Sequence, residues 1–290
     1  QGIRGAVPIL RRGGETRGEF MSLILCRQEP VKHPYYIDVL GIHIHSSQEL
    51  CYIVYNHPVL VMDDFLDDLL IDFIRKDLDM DYLAGRMEKL VETGTRPEEV
   101  LALFLSECDY YSDKEIQKFK QTTAALRALH PAQYEKQRAD YMFGQQQYGK
   151  AAARYGKILE YPRDKVVEDL FLAKVYNNLG ACYAMMFQFH KALGCYDKAY
   201  ELGKDDALLK RIYFLTVFAP ELDVKDKYQF VFTDERKRTW SGEIDLAVLE
   251  AGQAEEVRAL RALFKKDPIK RMSGAAEMVR RWKQEYRMMV

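Results

Sequence analysis

Two stretches of this chain place small and aromatic residues at the same spacing. Counting from Ala139, the offsets +12, +16 and +19 reach Ala151, Tyr155 and Ile158; counting from Gly180 they reach Ala192, Tyr196 and Ala199. The two starts lie 41 residues apart. Such an order suits a pair of antiparallel helices. Gly180 and Ala192 let two backbones approach closely, where larger side chains would hold them apart. Tyr183 and Tyr196 fill the space beside that contact, and Ala199 admits the first helix of a following unit.

The second stretch, residues 173–206, resembles the tetratricopeptide repeat, a 34-residue helix-turn-helix unit. Tyr176 takes its first aromatic position, Leu179-Gly180 its Leu-Gly pair and Tyr183 the following Tyr, while Ala192, Tyr196 and Ala199 fill the second helix. Lys204 stands where a proline is common. In the first stretch, residues 132–165, Ala139, Met142, Ala151 and Tyr155 fit the pattern. Glu135 and Arg138 replace an aromatic and a Leu, and Pro162 falls one place early. Roughly seven residues beyond the family's repeat length, near RDKVVED, extend the second helix or its loop. The resemblance implies an all-α, solenoid-like stack of helix pairs. Two units need neighbours to bury their faces. Residues 97–129 can precede them, and DALLKRIYFLTVFAPEL adds a helix ending near Pro220. Phe230 falls at the aromatic position of a degenerate third copy. The tail 274–290 sets Ala275, Met278, Val279, Trp282, Tyr286 and Met289 on one face and Arg280, Arg281, Lys283 and Arg287 opposite, the pattern of a capping helix.

The remaining chain divides around that array. Residues 1–20, with four arginines and five glycines but no sustained apolar run, read as a disordered leader rather than a secretory signal. Residues 21–129 read as mainly helical, after a small β element from strands at 22–26 and 42–45 joined by a Pro-containing connector. Helices are expected at 47–56, 61–76, 79–93, 97–107 and 112–129, the first capped by Ser46 or Ser47 and the last by a Ser112–Glu115 capping box. The two repeat units occupy 130–206, and a degenerate repeat with capping helices occupies 207–290.

Candidate chemistry is sparse. Asp63, Asp64 and Asp67 in MDDFLDD meet the DDxxD spacing that holds magnesium in terpenoid synthases, since carboxylates at i, i+1 and i+4 share a helical face. The competing reading is an acidic helix N-terminus, with Phe65, Leu66, Leu69, Leu70 and Phe73 facing the core. No second metal motif follows, which favours the latter. His43 and His45 would point to one face of a strand, but no third ligand is identifiable. Cys26, Cys51, Cys108, Cys182 and Cys195 are scattered, without CxxC spacing, and fit buried thiols in a reducing cytoplasm. No nucleophile elbow, phosphate loop or HExxH is present. The sequence supports neither catalysis nor a cofactor.

Net charge is −1, so nothing draws the whole chain to nucleic acid or an anionic membrane. No apolar run reaches membrane-spanning length. Locally, residues 63–107 carry thirteen acidic against five basic side chains and residues 257–290 ten basic against three acidic. A solvated helix face accounts for either; so does a head-to-tail contact, within a chain or between copies in a homo-oligomer.

Tetratricopeptide repeats line a concave groove with the first helix of each unit and hold an extended peptide or partner helix there. The resemblance implies a groove formed by Gln133, Lys136, Gln137 and Asp140 with Lys174, Asn177, Asn178 and Ala181. Lys136 and Asn178 match the dicarboxylate clamp of chaperone-binding repeats. Asp140 stands where that clamp needs an Asn, and its third-repeat positions fall on Leu208 and Ile212, beside Lys210 and Arg211. The implied function is a protein- or peptide-interaction module. Two alternatives are a bacterial-type peptide-responsive regulator with a helical N-terminal output region, and a structural subunit whose groove is filled by its own C-terminal segment.

Overall fold

The computed structural model describes residues 31–222, 224, 226–228 and 230–290. Among them a single hairpin precedes helices throughout, so the architecture is all-α with a small β element. β1 (Tyr35–Ile37) pairs antiparallel with β2 (Ile42–Ile44), Tyr35 opposite Ile44 and Ile37 opposite Ile42. The strand expected at 42–45 is thus present, but its partner comes from the expected connector. Pro34 lies just before the paired residues, where its missing N–H costs the ladder nothing. The expected strand at 22–26 and the leader at 1–20 lie outside the described residues. Ile37 and Ile44 are buried against the helices, the support that a two-stranded pair requires.

Ser46 starts α1 (Ser47–Asn56) by accepting the Glu49 N–H at 3.2 Å. The single helix expected over 61–76 is instead α2 (Pro58–Val61) and α3 (Asp68–Lys76). Between them Asp67 accepts the Leu70 N–H at 2.8 Å and caps α3, so Asp63, Asp64 and Asp67 do not share a helical face. α4 (Asp81–Glu92), α5 (Pro97–Glu107) and α6 (Asp113–Arg127) follow, with the Ser112–Glu115 capping box formed. Leu50, Val54, Leu70, Ile74, Met87, Leu101 and Leu105 make the fully buried centre of this first unit.

The next two helix pairs are α7 (Pro131–Gly144) with α8 (Tyr148–Ile158), and α9 (Asp169–Met185) with α10 (Phe189–Gly203). Their turns are copies of one another. Gln146 and Phe187 both take left-handed conformations, at φ 60° and 59°. Gln146 N–H donates to Phe143 O and Gln147 N–H to Met142 O, each at 2.9 Å; 41 residues on, Phe187 N–H donates to Ala184 O at 3.0 Å and Gln188 N–H to Tyr183 O at 2.8 Å. The spacing read from side chains is therefore also a backbone repeat. The intervening residues 159–168 form a loop pinned by buried Val167 and by Asp164, which accepts the Val166 and Val167 N–H groups.

Ala139, Ala151, Tyr155 and Ile158 pack with Val175, Leu179 and Cys182 of α9. Ala192, Tyr196 and Ala199 pack with Leu208, Leu209 and Ile212 of α11 (Asp206–Phe218), so Ala199 does admit the next helix. Phe230 does not continue the pattern. It sits in a turn at 88% exposure, while Tyr228, Phe232 and Trp240 fill the core.

α12 (Asp234–Ala251), α13 (Glu255–Phe264) and α14 (Pro268–Met289) complete the chain. The capping helix exists, but its apolar face is only partly covered among the described residues: Ala275, Met278 and Met289 are half-buried, Val279 and Trp282 are exposed, and α14 contains no fully buried residue. Its far end touches the repeats: Tyr286 donates to Met186 O at 3.3 Å, Met289 packs beside the first repeat core, and the Val290 backbone lies on Gly149.

Candidate functional site

A cavity of about 370 Å³ opens on the repeat array. It is lined by Asp140 and Phe143 of α7, Tyr155 of α8, Asn177, Asn178 and Ala181 of α9, and Arg211 of α11. The helical period explains the gathering: Asn177, Asn178 and Ala181 lie within one turn of α9. Asp140 is the hub. One of its carboxylate oxygens accepts from Tyr155 Oη and from Asn178 Nδ2 (3.0 Å), and the other accepts Lys136 Nζ at 2.7 Å. Asn178 Nδ2 also reaches Tyr155 Oη at 3.2 Å, and Asn177 Nδ2 donates to Asn178 Oδ1 at 2.9 Å. Burial, then Asp140, pushes the Tyr155 hydroxyl far above its usual pKa, so it stays a proton donor.

Two groups in this lining are not used internally. Asn177 Oδ1 is buried without a hydrogen-bond partner among the described residues. An acceptor so placed costs about 1–3 kcal/mol until a donor reaches it. Arg211 is exposed and makes no ion pair among the described residues, whereas neighbouring Lys210 pairs with Glu243. The site thus offers the Arg211 cation to a ligand, against an aromatic wall of Phe143. Asn177 Oδ1 becomes an available acceptor once its buried amide turns outward.

Of the residues expected to face a groove, Asp140, Asn177, Asn178 and Ala181 line the cavity. Lys136 does not; it is committed to Asp140. Gln133, Gln137 and Lys174 are exposed outside the lining. The Asp140 that departs from the dicarboxylate-clamp pattern thus holds the very lysine that matches it. Leu208 and Ile212 are buried, as their places in the α11 core require. Arg211, next to the expected position 212, lines the cavity in its place.

The other acidic and histidine candidates have structural partners. Asp63 meets Arg127 Nη1 at 3.1 Å, Arg138 Nη1 at 2.7 Å and Tyr134 Oη at 2.8 Å. Arg127 is also bidentate on buried Glu98, at 2.8 and 3.0 Å. Arginines thus stand where a cation would be held, and the cluster joins α5 and α6 to α7. His43 and His45 lie 6.5 Å apart, ring to ring, on the hairpin. Among the described residues no three His, Cys, Asp or Glu side chains are grouped to hold a metal ion, and no helix is long and apolar enough to cross a membrane. Burial pushes the Cys182 thiol up to about 12 and the Cys195 thiol up to about 11, which suits small core residues and not nucleophiles.

No family model, curated protein or solved structure matches this chain.

Proposed function

We propose that the chain is a cytoplasmic, non-enzymatic interaction module of the tetratricopeptide type, holding an extended peptide segment of a partner protein in the groove over α7, α9 and α11. The observation that carries the reading is the pairing, in one cavity, of a buried acceptor on Asn177 with the guanidinium of Arg211, neither of which has a partner among the described residues. A peptide segment supplies what both lack, a backbone N–H for the amide oxygen and a carboxylate or carbonyl for the guanidinium. The exact repetition of the turn 41 residues apart supports two units of one repeat type.

Affinity capture from native lysate tests this, with the whole chain run beside an Arg211→Glu/Asn177→Ala variant. The variant should lose a partner that the parent retains, in the presence or absence of added nucleotide and chelator. Equal retention by both would contradict the groove as the working surface.

A further inference from the structure

The side of α9 that bears Asn178 changes character along its length. Lys174 is exposed one turn before Asn178, whereas seven residues after it Met185 is exposed at 46%. The side of α11 that bears Arg211 changes in the same order, for seven residues on Phe218 is exposed at 61%. Seven residues make two helical turns less about 20°, so each pair shares one side of its helix, about 10 Å apart along the axis. Since Asn178 and Arg211 line one cavity, Met185 and Phe218 continue the same two walls. At the place of Met185 in the preceding helix pair, 41 residues earlier, stands Gly144, where an added Cβ would meet nothing within 4 Å. The first pair thus contributes open space there.

A cationic zone and an apolar zone therefore follow one another along the array. Lys174 and Arg211 make no ion pair among the described residues, so the first zone selects a carboxylate. In the second, burying a side chain against Met185 and Phe218 removes apolar surface of both partners from water, and the flexible thioether adapts to aliphatic and aromatic shapes alike. Side chains three residues apart in a polyproline-type segment share one side and lie about 9 Å apart, close to the separation of the zones. We propose that Met185 and Phe218 form an apolar subsite of the groove, and that the bound segment carries a large aliphatic or aromatic side chain three residues from the acidic residue held by Arg211. This second anchor rests on the reading of the cavity as a peptide groove and adds to it the residue spacing that the groove selects.

Selection of phage-displayed random octapeptides on the whole chain tests it. Enriched peptides should carry Asp or Glu three positions from Leu, Ile, Met or Phe. A synthetic peptide of the enriched sequence should bind Met185→Ser/Phe218→Ser about tenfold more weakly than the parent. Replacing the peptide's own apolar residue by Ser should cost as much, and both changes together little more than either, since they remove one contact. Both residues are exposed, so the helical circular dichroism of the variant should be unchanged. Peptides that depend on Arg211 but show no apolar preference, or that bind the serine variant as tightly as the parent, would overturn the subsite and leave the groove standing. Peptides that bind Arg211→Glu/Asn177→Ala as well as the parent, or a library with none enriched, would contradict groove and subsite together. A parent chain that sediments as a dimer, with the serine variant a monomer, would assign the two residues to a second copy and likewise overturn the subsite.

Discussion

The ring of Tyr196 lies directly on Gly180: a Cβ at Gly180 would sit 2.7 Å from both Cδ1 and Cε1 of the tyrosine. Real Cβ atoms do not come so near, and the ring is itself buried among Ala192, Ala199 and Leu209, with little room to retreat. Gly180→Ala should therefore destabilise the chain by about 1–3 kcal/mol through overpacking, despite alanine's better helix propensity. Urea denaturation measures this. Adding Tyr196→Leu should recover part of the loss in a double-mutant cycle, whereas an additive result would mean that the two residues are not coupled.

Asp63 and Arg127 fix the first helical unit to α7. Glu98 is almost fully buried and depends on Arg127 for its countercharge. Arg127→Met should cost about 3 kcal/mol, because it strands that carboxylate. Combining it with Glu98→Leu should restore most of the stability. If the single substitution is silent in thermal unfolding, the cluster has no structural role.

Lys136 and Asp140 neutralise each other at the edge of the cavity. Asp140→Asn keeps the side-chain shape and releases the ammonium toward a ligand. A fluorescent peptide ending in Glu-Asp should then bind roughly fivefold tighter, a gain of about 1 kcal/mol. Fluorescence anisotropy against the parent chain reads the change; unaltered or weaker binding would place Lys136 outside the peptide's reach.

His57 carries the pH dependence that can be tested most simply. Burial holds its imidazole below the ordinary pKa, and its Nδ1 lies 2.8 Å from Tyr141 Oη. The unfolded chain takes up a proton near pH 6.5 or so, about the usual histidine value, while the native chain resists. In that window the unfolded state binds more protons, so stability rises with pH. The His57 contribution should be constant above about pH 6.5 and decline as the pH falls toward the native pKa. The difference in unfolding free energy between the parent and His57→Gln should shrink over that interval; a constant difference would show that His57 titrates alike in both states.

The repeat was legible because its signal is local. Gly180, Ala192, Tyr196 and Ala199 sit within two adjacent helices, and their spacing follows from the helical period. Part of the cavity lining is local in the same way, since Asn177 and Asn178 lie on α9 and Asp140 on α7, the first helix of the preceding pair. What escaped depends on partners distant in the chain. The fate of Asp63 is decided by Arg127 and Arg138, 64 and 75 residues onward. Tyr35–Ile37 is too short to announce itself as a strand beside Pro34. The amphipathic pattern of α14 shows that one face is apolar but not what covers it, and here Ile269 and Met272 face outward.

Ala181 lines the cavity between Asn178 and Arg211, and it gives the most direct test of peptide binding. A photo-crosslinking residue placed there would be irradiated in native lysate, with the same residue at exposed Glu250 as reference. The expected result is one partner captured at position 181 through a single short segment, and lost when Arg211→Glu is added. Capture at position 250 but not at 181, or to the same extent at both, would contradict a peptide-binding groove.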